Sequence, residues 1–405
     1  MRFDVQLQAG HAVQLLQGGQ EFFPALIADI ESSQSEVRLE TYIFLFDPSG
    51  ERVAAALEGA AQRGVQVYVL IDGVGTEHIP ESWAQRWDDA GVHWKIYSPM
   101  GFWGLLHPRN WRRLHRKLCV VDAAVAFCGG INVLDDLRDP VWGPQEFPRF
   151  DFSVRLTGPV VQDIRHAMGG LWRRLQVNQQ LKRLELRGAR GTMRASLPRI
   201  APVDADAPAF AKDAGVKVAL VQRDNLRNRT RIERAYLRAI AEARSEIILA
   251  NAYFLPGARL RRALVQAARR GVKVRLLVQG RYEYFMQFHG SRTAFAMLVS
   301  SGVEISEYQP AFLHAKVAVM DGLWATVGSS NLDPLSLLLA REANVVIVDP
   351  EFAGALRSRL IEAIDSQSHA LGGVALARRT WPQRLYDYLA FAVLRGAVFL
   401  TGRRY

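Results

Sequence analysis

Cysteine is scarce: Cys119 and Cys128 are the only two among 405 residues. Both lie inside apolar runs, which excludes a disulfide framework, reads them as buried small hydrophobes and points to a reducing compartment. Long apolar runs are missing too. No uninterrupted stretch approaches the roughly 18 residues that a spanning helix needs, and Met1-Arg2-Phe3-Asp4-Val5 has no charged segment leading into an apolar one. The expectation is a protein neither secreted by a cleavable signal nor integral to a membrane. The nearest approach, Tyr388 to Leu394, is broken by Arg395-Gly396 and suits lying on a bilayer better than crossing it. Acid is in deficit, 40 Asp+Glu against 51 Lys+Arg, a formal charge of +11. That excess favours phosphate-bearing partners, nucleic acid or anionic lipid, without choosing between them. Lysine is scarcer still, 7 residues beside 44 Arg. Apolar residues are plentiful at 49%, which excludes a disordered chain and suits two domains of ordinary size.

The chain repeats itself. Ser35-Glu36-Val37-Arg38-Leu39, Tyr42-Ile43-Phe44 and Ala60-Ala61-Gln62-Arg63-Gly64-Val65 return as Ser245-Glu246-Ile247-Ile248-Leu249, Ala252-Tyr253-Phe254 and Ala267-Ala268-Arg269-Arg270-Gly271-Val272. In each half a short apolar strand precedes a helical pattern, a terminating Gly and another strand, which predicts a β-α-β unit. The chain therefore divides into two similar α/β halves, joined where periodicity collapses into Gly, Pro and Ala between Gly188 and Pro208. The expected domains are 1–204 and 205–376, with a basic segment at 377–405.

The chemistry-bearing residues are duplicated as well. His115-Arg116-Lys117, Asp122 and Gly129-Gly130-Ile131-Asn132 recur with identical spacing as His314-Ala315-Lys316, Asp321 and Gly328-Ser329-Ser330-Asn331. In a strand, residues two apart share a face, so each His and Lys point the same way. Asp122 and Asp321 mark turns, and the returning strand brings each Asn back beside its His. Small residues at Gly129-Gly130 and Gly328-Ser329 are expected to let a substrate approach the backbone. Imidazole, ammonium and carboxamide together suit a phosphodiester. Lys117, Lys316, Asn132 and Asn331 would bind the phosphoryl oxygens, while His115 and His314 attack phosphorus or carry a proton. No carboxylate is clustered in sequence with them as a Mg²⁺ or Zn²⁺ site needs, so the expected chemistry uses no metal and no cofactor. Lysine at both cationic positions, in a chain so poor in it, indicates a demand for a compact point charge.

These residues resemble the phospholipase D superfamily, whose signature is a duplicated His-x-Lys-(x)4-Asp-(x)6-Gly-[Gly/Ser]-x-Asn. Asn110-Trp111-Arg112-Arg113-Leu114-His115-Arg116-Lys117, Gly328 to Ser336 and Glu342-Ala343-Asn344 look most like bacterial cardiolipin synthases, the B type in particular. The resemblance implies two pseudo-twofold-related α-β-α sandwich domains with the active site at their interface. It implies a catalytic set of His115, Lys117, Asp122, His314, Lys316 and Asp321, although the turn positions of Asp122 and Asp321 favour a structural task for both. It implies a two-step phosphatidyl transfer between two phosphatidylglycerol molecules, with His115 as nucleophile and His314 as acid and then base. An acidic residue downstream of each motif would orient the other half's imidazole, Glu342 for His115 and Asp151 for His314. The place implied is peripheral, on the cytoplasmic face of the bacterial inner membrane.

Aromatic and basic residues support a lipid partner. Phe102, Trp103, Leu105, Leu106, His107, Arg109, Trp111, Arg112 and Arg113 fill an insertion before His115, with no acid from Pro99 to Val121. From Ser366 to Tyr405 six Arg and one Asp accompany Trp381, Tyr386, Tyr388, Phe391 and Phe399. That reads as an amphipathic anchor on anionic phospholipid, phosphatidylglycerol or cardiolipin, with no nucleic acid expected and any helper protein unknown. A helix packed over the second domain is the plainer reading. Tyr282, Tyr284, Phe285, Met286, Phe288 and His289 could line an acyl groove or belong to the core. Other readings keep the site and change the reaction: phospholipid hydrolysis, transfer to another alcohol, or nucleic-acid cleavage. A scaffold with a vestigial site stands outside that class.

Overall fold

Every residue of Lys117–Val121 and of Lys316–Met320 is buried, so these strands must be covered on both faces. A computed structural model describes residues 6–99, 112–188, 215–224, 228–283, 285–333, 340–372 and 380–400. The first half runs β1 (Gln8–Gln17), α1 (Gly18–Glu31), β2 (Glu36–Thr41), α2 (Pro48–Gln62), β3 (Gln66–Asp72), α3 (Glu81–Ala90) and β4 (His93–Tyr97). It continues through β5 (Lys117–Val121), β6 (Val125–Gly129), a small hairpin of β7 (Arg138–Asp139) and β8 (Gly143–Pro144), β9 (Phe152–Thr157) and α4 (Val160–Gly188). The second half repeats the plan with β10 (Val216–Arg223), α5 (Arg231–Glu242), β11 (Glu246–Asn251), α6 (Ala258–Arg269), β12 (Lys273–Gln279), α7 (Phe285–Ser300) and β13 (Glu304–Tyr308). After these come β14 (Lys316–Met320), β15 (Trp324–Gly328), β16 (Glu342–Val348), α8 (Pro350–Ser366), β17 (Ser368–Ala370) and α9 (Trp381–Leu400).

Fifteen strands form one sheet in the order β17-β13-β12-β11-β14-β15-β16-β10-β1-β9-β6-β5-β2-β3-β4. Read outward from the β10–β1 seam, seven strands of each arm match in order, as a pseudo-twofold requires, and β17 is added at the second half's edge. The expected β-α-β units are present: β2 is parallel to β3, and β11 to β12. Alternation along β5 and β14 divides the core into layers. Leu118, Val120, Val317 and Val319 face one core with Ile164 of α4 and Leu356 of α8. Cys119 and Val121 face Phe23, Leu26 and Leu57 of α1 and α2, while Ala318 and Met320 face Tyr236 and Leu264 of α5 and α6. The α-β-α sandwich expected of each half is therefore found. Cys119 and Cys128 are buried and unpaired on opposite faces, and burial pushes the Cys128 thiol up to about 12.

The seam is short. β1 meets β10 antiparallel at Gln8↔Val218 and His11↔Val216, with an irregularity between. His11, to which the sequence attaches no task, closes it: Nδ1 lies 3.0 Å from the Val216 carbonyl and Nε2 accepts the Val160 N–H at 3.0 Å. A carbonyl only accepts, so Nδ1 carries the hydrogen and the ring is neutral. Burial, the largest influence, lowers its pKa accordingly. The expected boundary at 204/205 lies outside the described residues. Within the expected segment 377–405, α9 packs against α7. Among the described residues no helix is long and apolar enough to cross a membrane.

Asp122 and Asp321 sit at hairpin turns with positive φ, 50° and 52°, followed by Ala123 at 54° and Gly322 at 61°. Their carboxylates do the same work in each half. Asp122 accepts the N–H groups of Gln34, Ser35 and Glu36 and the Ser35 hydroxyl; Asp321 accepts those of Arg244, Ser245 and Glu246 and the Ser245 hydroxyl. Both are thus committed to holding β2 and β11, which corrects their inclusion in the catalytic set. Burial alone would raise these carboxyls, but the hydrogen bonds outweigh it and hold both below 3.8. A carboxyl depressed on folding adds stability above its unfolded pKa and loses it as pH falls through the folded value. Asp122→Ala should lower the melting temperature by an amount equivalent to about 1 kcal/mol or more at pH 7, with a smaller difference at strongly acid pH. Ala123→Gly, relieving the left-handed alanine, should stabilise by about 0.5–1 kcal/mol. Calorimetry across pH checks both.

Candidate active site

Both motifs reach the seam between the halves. The His115 N–H donates to the Arg341 carbonyl at 3.0 Å, and the Arg341 N–H to the Arg113 carbonyl at 2.8 Å. The second half mirrors this: His314 N–H to Phe150 carbonyl and Phe150 N–H to Phe312 carbonyl, both 2.9 Å. Each strap delivers the next residue, Glu342 or Asp151, to the imidazole of the opposite half. His115 Nδ1 lies 2.9 Å from Glu342 Oε1, 3.1 Å from Oε2 and 3.1 Å from the Ser329 carbonyl. His314 Nδ1 lies 2.6 Å from Asp151 Oδ2. Carboxylates and carbonyls only accept, so each ring carries its hydrogen on Nδ1 and keeps the Nε2 lone pair for chemistry.

Asp151 and Glu342 stand at unequal sequence distances from their motifs but at one register. Gly129 pairs with Ser153 and Gly328 with Asn344, so each acid is two residues before its glycine's partner. The length of each acid is matched to the residue next to that glycine. A Cβ on Gly130 would meet Asp151 Oδ1 at 2.3 Å, whereas Ser329 uses its hydroxyl to donate to Glu342 Oε2 at 2.5 Å. The glycines therefore admit the neighbouring strand, not a substrate, which corrects the expectation drawn from their small size. At Gly129 a Cβ would lie 2.4 Å from Ser153 Cα, and at Gly328 2.4 Å from Asn344 Oδ1.

Lys117 and Lys316 each donate to the carbonyl of the His two residues before it, and both are buried. Asn132 accepts the Ile43 N–H at 3.2 Å through Oδ1, leaving its NH₂ as a donor. Asn331 is buried, with Oδ1 lacking a partner among the described residues. Four cation-forming side chains thus share a buried space with two carboxylates. The pKa pattern reports that crowding. Burial and then Lys316 lower Lys117 to about 7; burial, partly offset by Asp151 and Glu342, lowers Lys316 to about 8. Burial drives His115 below its usual value, and burial followed by both lysines drives His314 well below it. Burial also raises Asp151 to about 6 against the opposing pull of Lys316. An anion placed among these groups would reverse the cationic shifts.

Several site residues lie outside the duplicated motif. Tyr42 packs edge-on to His115, centroids 4.9 Å apart, with Lys117 Nζ 5.4 Å from its ring centre. The equivalent position in the second half is Ala252, and the neighbouring Tyr253 donates to Glu283 at 2.7 Å. With alanine at the repeated position, the duplication carries no signal for Tyr42. Glu283 acts electrostatically on Lys316 and has no counterpart in the repeat. Tyr253, Gln279, Arg281, Glu283, Phe288 and Arg292 line a narrow pocket with about 30 Å³ of open interior, space for one or two water-sized groups. That is too little for an acyl chain. Tyr282 and Phe285 are exposed, and Tyr284 lies outside the described residues. So do Phe102, Trp103, Leu105, Leu106, His107, Arg109 and Trp111; of that insertion Arg113 is seen, with Nη1 3.2 Å from Asp72.

A family model described as "Cardiolipin synthase, PLD-like domain" matches residues 26–136 and 236–363. Cardiolipin synthase B of Escherichia coli (strain K12) is 38% identical over 393 residues, covering 97% of this chain and 90% of that protein. Cardiolipin synthase B of Salmonella typhi is 39% identical over 400 residues, with the same coverage of both. Among solved structures, a phosphatidylserine synthase from Haemophilus influenzae Rd KW20 superposes with a TM-score of 0.70 at 13% identity, over 98% of this chain and 97% of that one. This last likeness concerns the fold alone.

Because all four cationic groups have lowered pKa values in the site, an anion that raises them must bring protons with it. Vanadate or inorganic phosphate binding at pH 7 is expected to take up protons. Titration calorimetry in buffers of different ionisation enthalpy measures the number, and Lys316→Met should reduce it.

Proposed function

The chain belongs to the cardiolipin synthase family of phospholipase D-like enzymes, and from that premise we propose that it joins two phosphatidylglycerol molecules into cardiolipin and releases glycerol. The observation that supports the reading best is the pair of imidazoles, each held through Nδ1 by a carboxylate of the other half. In the first step His115 Nε2 attacks phosphorus. The P–O bond to glycerol breaks, and the departing oxygen takes a proton from Nε2 of His314, which would be imidazolium once the bound phosphodiester has reversed its lowered pKa. In the second, His314 Nε2 accepts the proton of a hydroxyl on another phosphatidylglycerol. That oxygen attacks phosphorus, the P–N bond breaks, and His115 is regenerated. Lys117 and Lys316 would neutralise the phosphoryl oxygens as charge develops, with Asn132 and Asn331 donating from the returning strands of the same two hairpins. Asp151 and Glu342 would stabilise imidazolium without taking the proton.

The two halves differ where the two substrates must differ. A carboxylate repels phosphate but accepts hydrogen bonds from hydroxyls, so Glu283 in its small pocket suits a hydroxyl of the acceptor's glycerol headgroup. The membrane supplies both lipids, and α9 supports a peripheral stance at its surface. Asp387 and Ala390 are buried, while Trp381, Tyr388 and Val393 are exposed, so its apolar face is turned outward. The cytoplasmic leaflet belongs to the same proposal.

Purified protein with phosphatidylglycerol in mixed micelles and EDTA should yield cardiolipin and glycerol by mass spectrometry; a folded, vesicle-bound sample yielding neither would defeat the reading. His115→Ala and His314→Ala should each lose at least about 10³-fold in turnover. Asp151→Asn and Glu342→Gln should lose about 10²-fold or more while staying folded. Glu283→Gln should raise KM for the acceptor and shift product from cardiolipin toward phosphatidate, as water intercepts the intermediate.

A further inference from the structure

Between Asn132 and Asp151 the first half carries eight residues more than the second half carries between Asn331 and Glu342. The additional length forms the hairpin β7–β8, paired at Arg138↔Pro144 and Asp139↔Gly143. Its tip is held in one conformation. Asp139 Oδ1 accepts the N–H groups of Val141 and Trp142 at 2.8 and 2.9 Å, Oδ2 accepts Arg149 at 2.5 Å, and Gly143 closes the turn at φ +73°. What this clamp presents is apolar: Val141 is 79% exposed and Trp142 52%, with Leu137 and Phe147 exposed at the base. Large apolar side chains held rigidly in water are a cost unless something covers them.

The position of the hairpin indicates the cover. Its far end runs directly into Phe150 and Asp151 of the active site. Gln145 accepts Arg281 at 2.8 Å, and Asp139 acts electrostatically on Glu283, so the hairpin stands at the mouth of the small pocket. Beyond Arg281 the exposed apolar surface continues through Tyr282 and Phe285. The Phe285 ring lies 6.0 Å from Tyr386 on α9, whose outward face carries Leu385, Tyr388 and Leu389. One apolar path therefore passes from the hairpin tip, across the pocket mouth, to α9. Exposed Arg138 and exposed Glu146 stand on either side of the tip, so attraction to anionic lipid comes from the chain's overall +11. An exposed Trp beside a β-branched residue on a clamped turn is suited to the headgroup boundary of a bilayer.

We propose that the Val141-Trp142 tip inserts into anionic phospholipid bilayers as a second anchor, opposite α9, so that the mouth between them is pressed onto the lipid surface. The inference rests on the reading of the protein as a lipid enzyme. With one anchor the site could tilt away from the bilayer; with two it is held where a headgroup can rise a short distance to the imidazoles.

The test uses the full chain. Trp142→Cys can be labelled selectively, Cys119 and Cys128 being buried, with an environment-sensitive fluorophore. A blue shift on adding phosphatidylglycerol vesicles is expected, and none with phosphatidylcholine alone. The double variant Val141→Asp, Trp142→Ser should turn over vesicle phosphatidylglycerol about tenfold or more slowly, while its rate on monomeric dihexanoyl phosphatidylglycerol stays within about twofold of the parent. An unshifted label with an unchanged vesicle rate would overturn the proposal. So would equal losses on both substrates, which would place the tip in the reaction itself, or a change in oligomeric state alone, which would make it a protein interface. Inactivity of the parent on both substrates would instead defeat the proposed function, leaving the label to report on insertion.

Discussion

Everything in this molecule is arranged so that each imidazole finds its carboxylate in the other half. His115 has no orienting acid without Glu342, and His314 none without Asp151. The demand explains the architecture outward from the site. Straps through Arg341 and Phe150 set the approach of the acids. The straps require β5 and β14 to lie on either side of a common seam, and the seam requires β1 to pair with β10. The fifteen-stranded sheet is the framework that keeps two hydrogen bonds in place, at a cost in buried charge that the surrounding apolar layers offset.

The second organising constraint is charge. Two lysines and two histidines are forced together in a space from which water is largely excluded, with two carboxylates to balance them. Burial disfavours the charged forms and brings Lys117 and Lys316 down to about 7 and about 8, with the neighbouring charges a smaller influence. A phosphodiester supplies the charge the protein withholds. Substrate is in this sense the missing member of the ion cluster, and the groups that bind it become most strongly cationic only in its presence.

Much of this is legible in the chain. The duplication announces the two halves, and identical spacing puts His, Lys and Asn on one surface. The family resemblance supplies the crossed pairing of Glu342 and Asp151. Asp122 reads as a turn residue for a local reason: an acid between two apolar strands has few other uses. The features that stay hidden depend on distant pairs. Gly129 and Gly130 look like room for a ligand until β9 is seen lying against them. Tyr42 has Ala252 at its repeated position, so the duplication gives no sign of a ring against the imidazole. His11 and Glu283 have no repeated partners, so a search for symmetry passes over them. The hairpin tip is invisible in the sequence because exposure is a property of the whole surface.

The seam carries one more implication. Antiparallel pairing of β1 with β10 about a pseudo-twofold is the relation two identical chains would adopt in a symmetric dimer. A half-length ancestor could have built this site from two copies, but both copies would then have been obliged to share every substitution. Covalent fusion removed that obligation. One half could keep the buried pair of Glu40 and Arg116, 2.6 Å apart, while the other filled the equivalent positions with Ala250 and Ala315. One could orient with aspartate against glycine and the other with glutamate against serine. Linking the halves lets each side of a pseudo-symmetric reaction centre carry substitutions of its own.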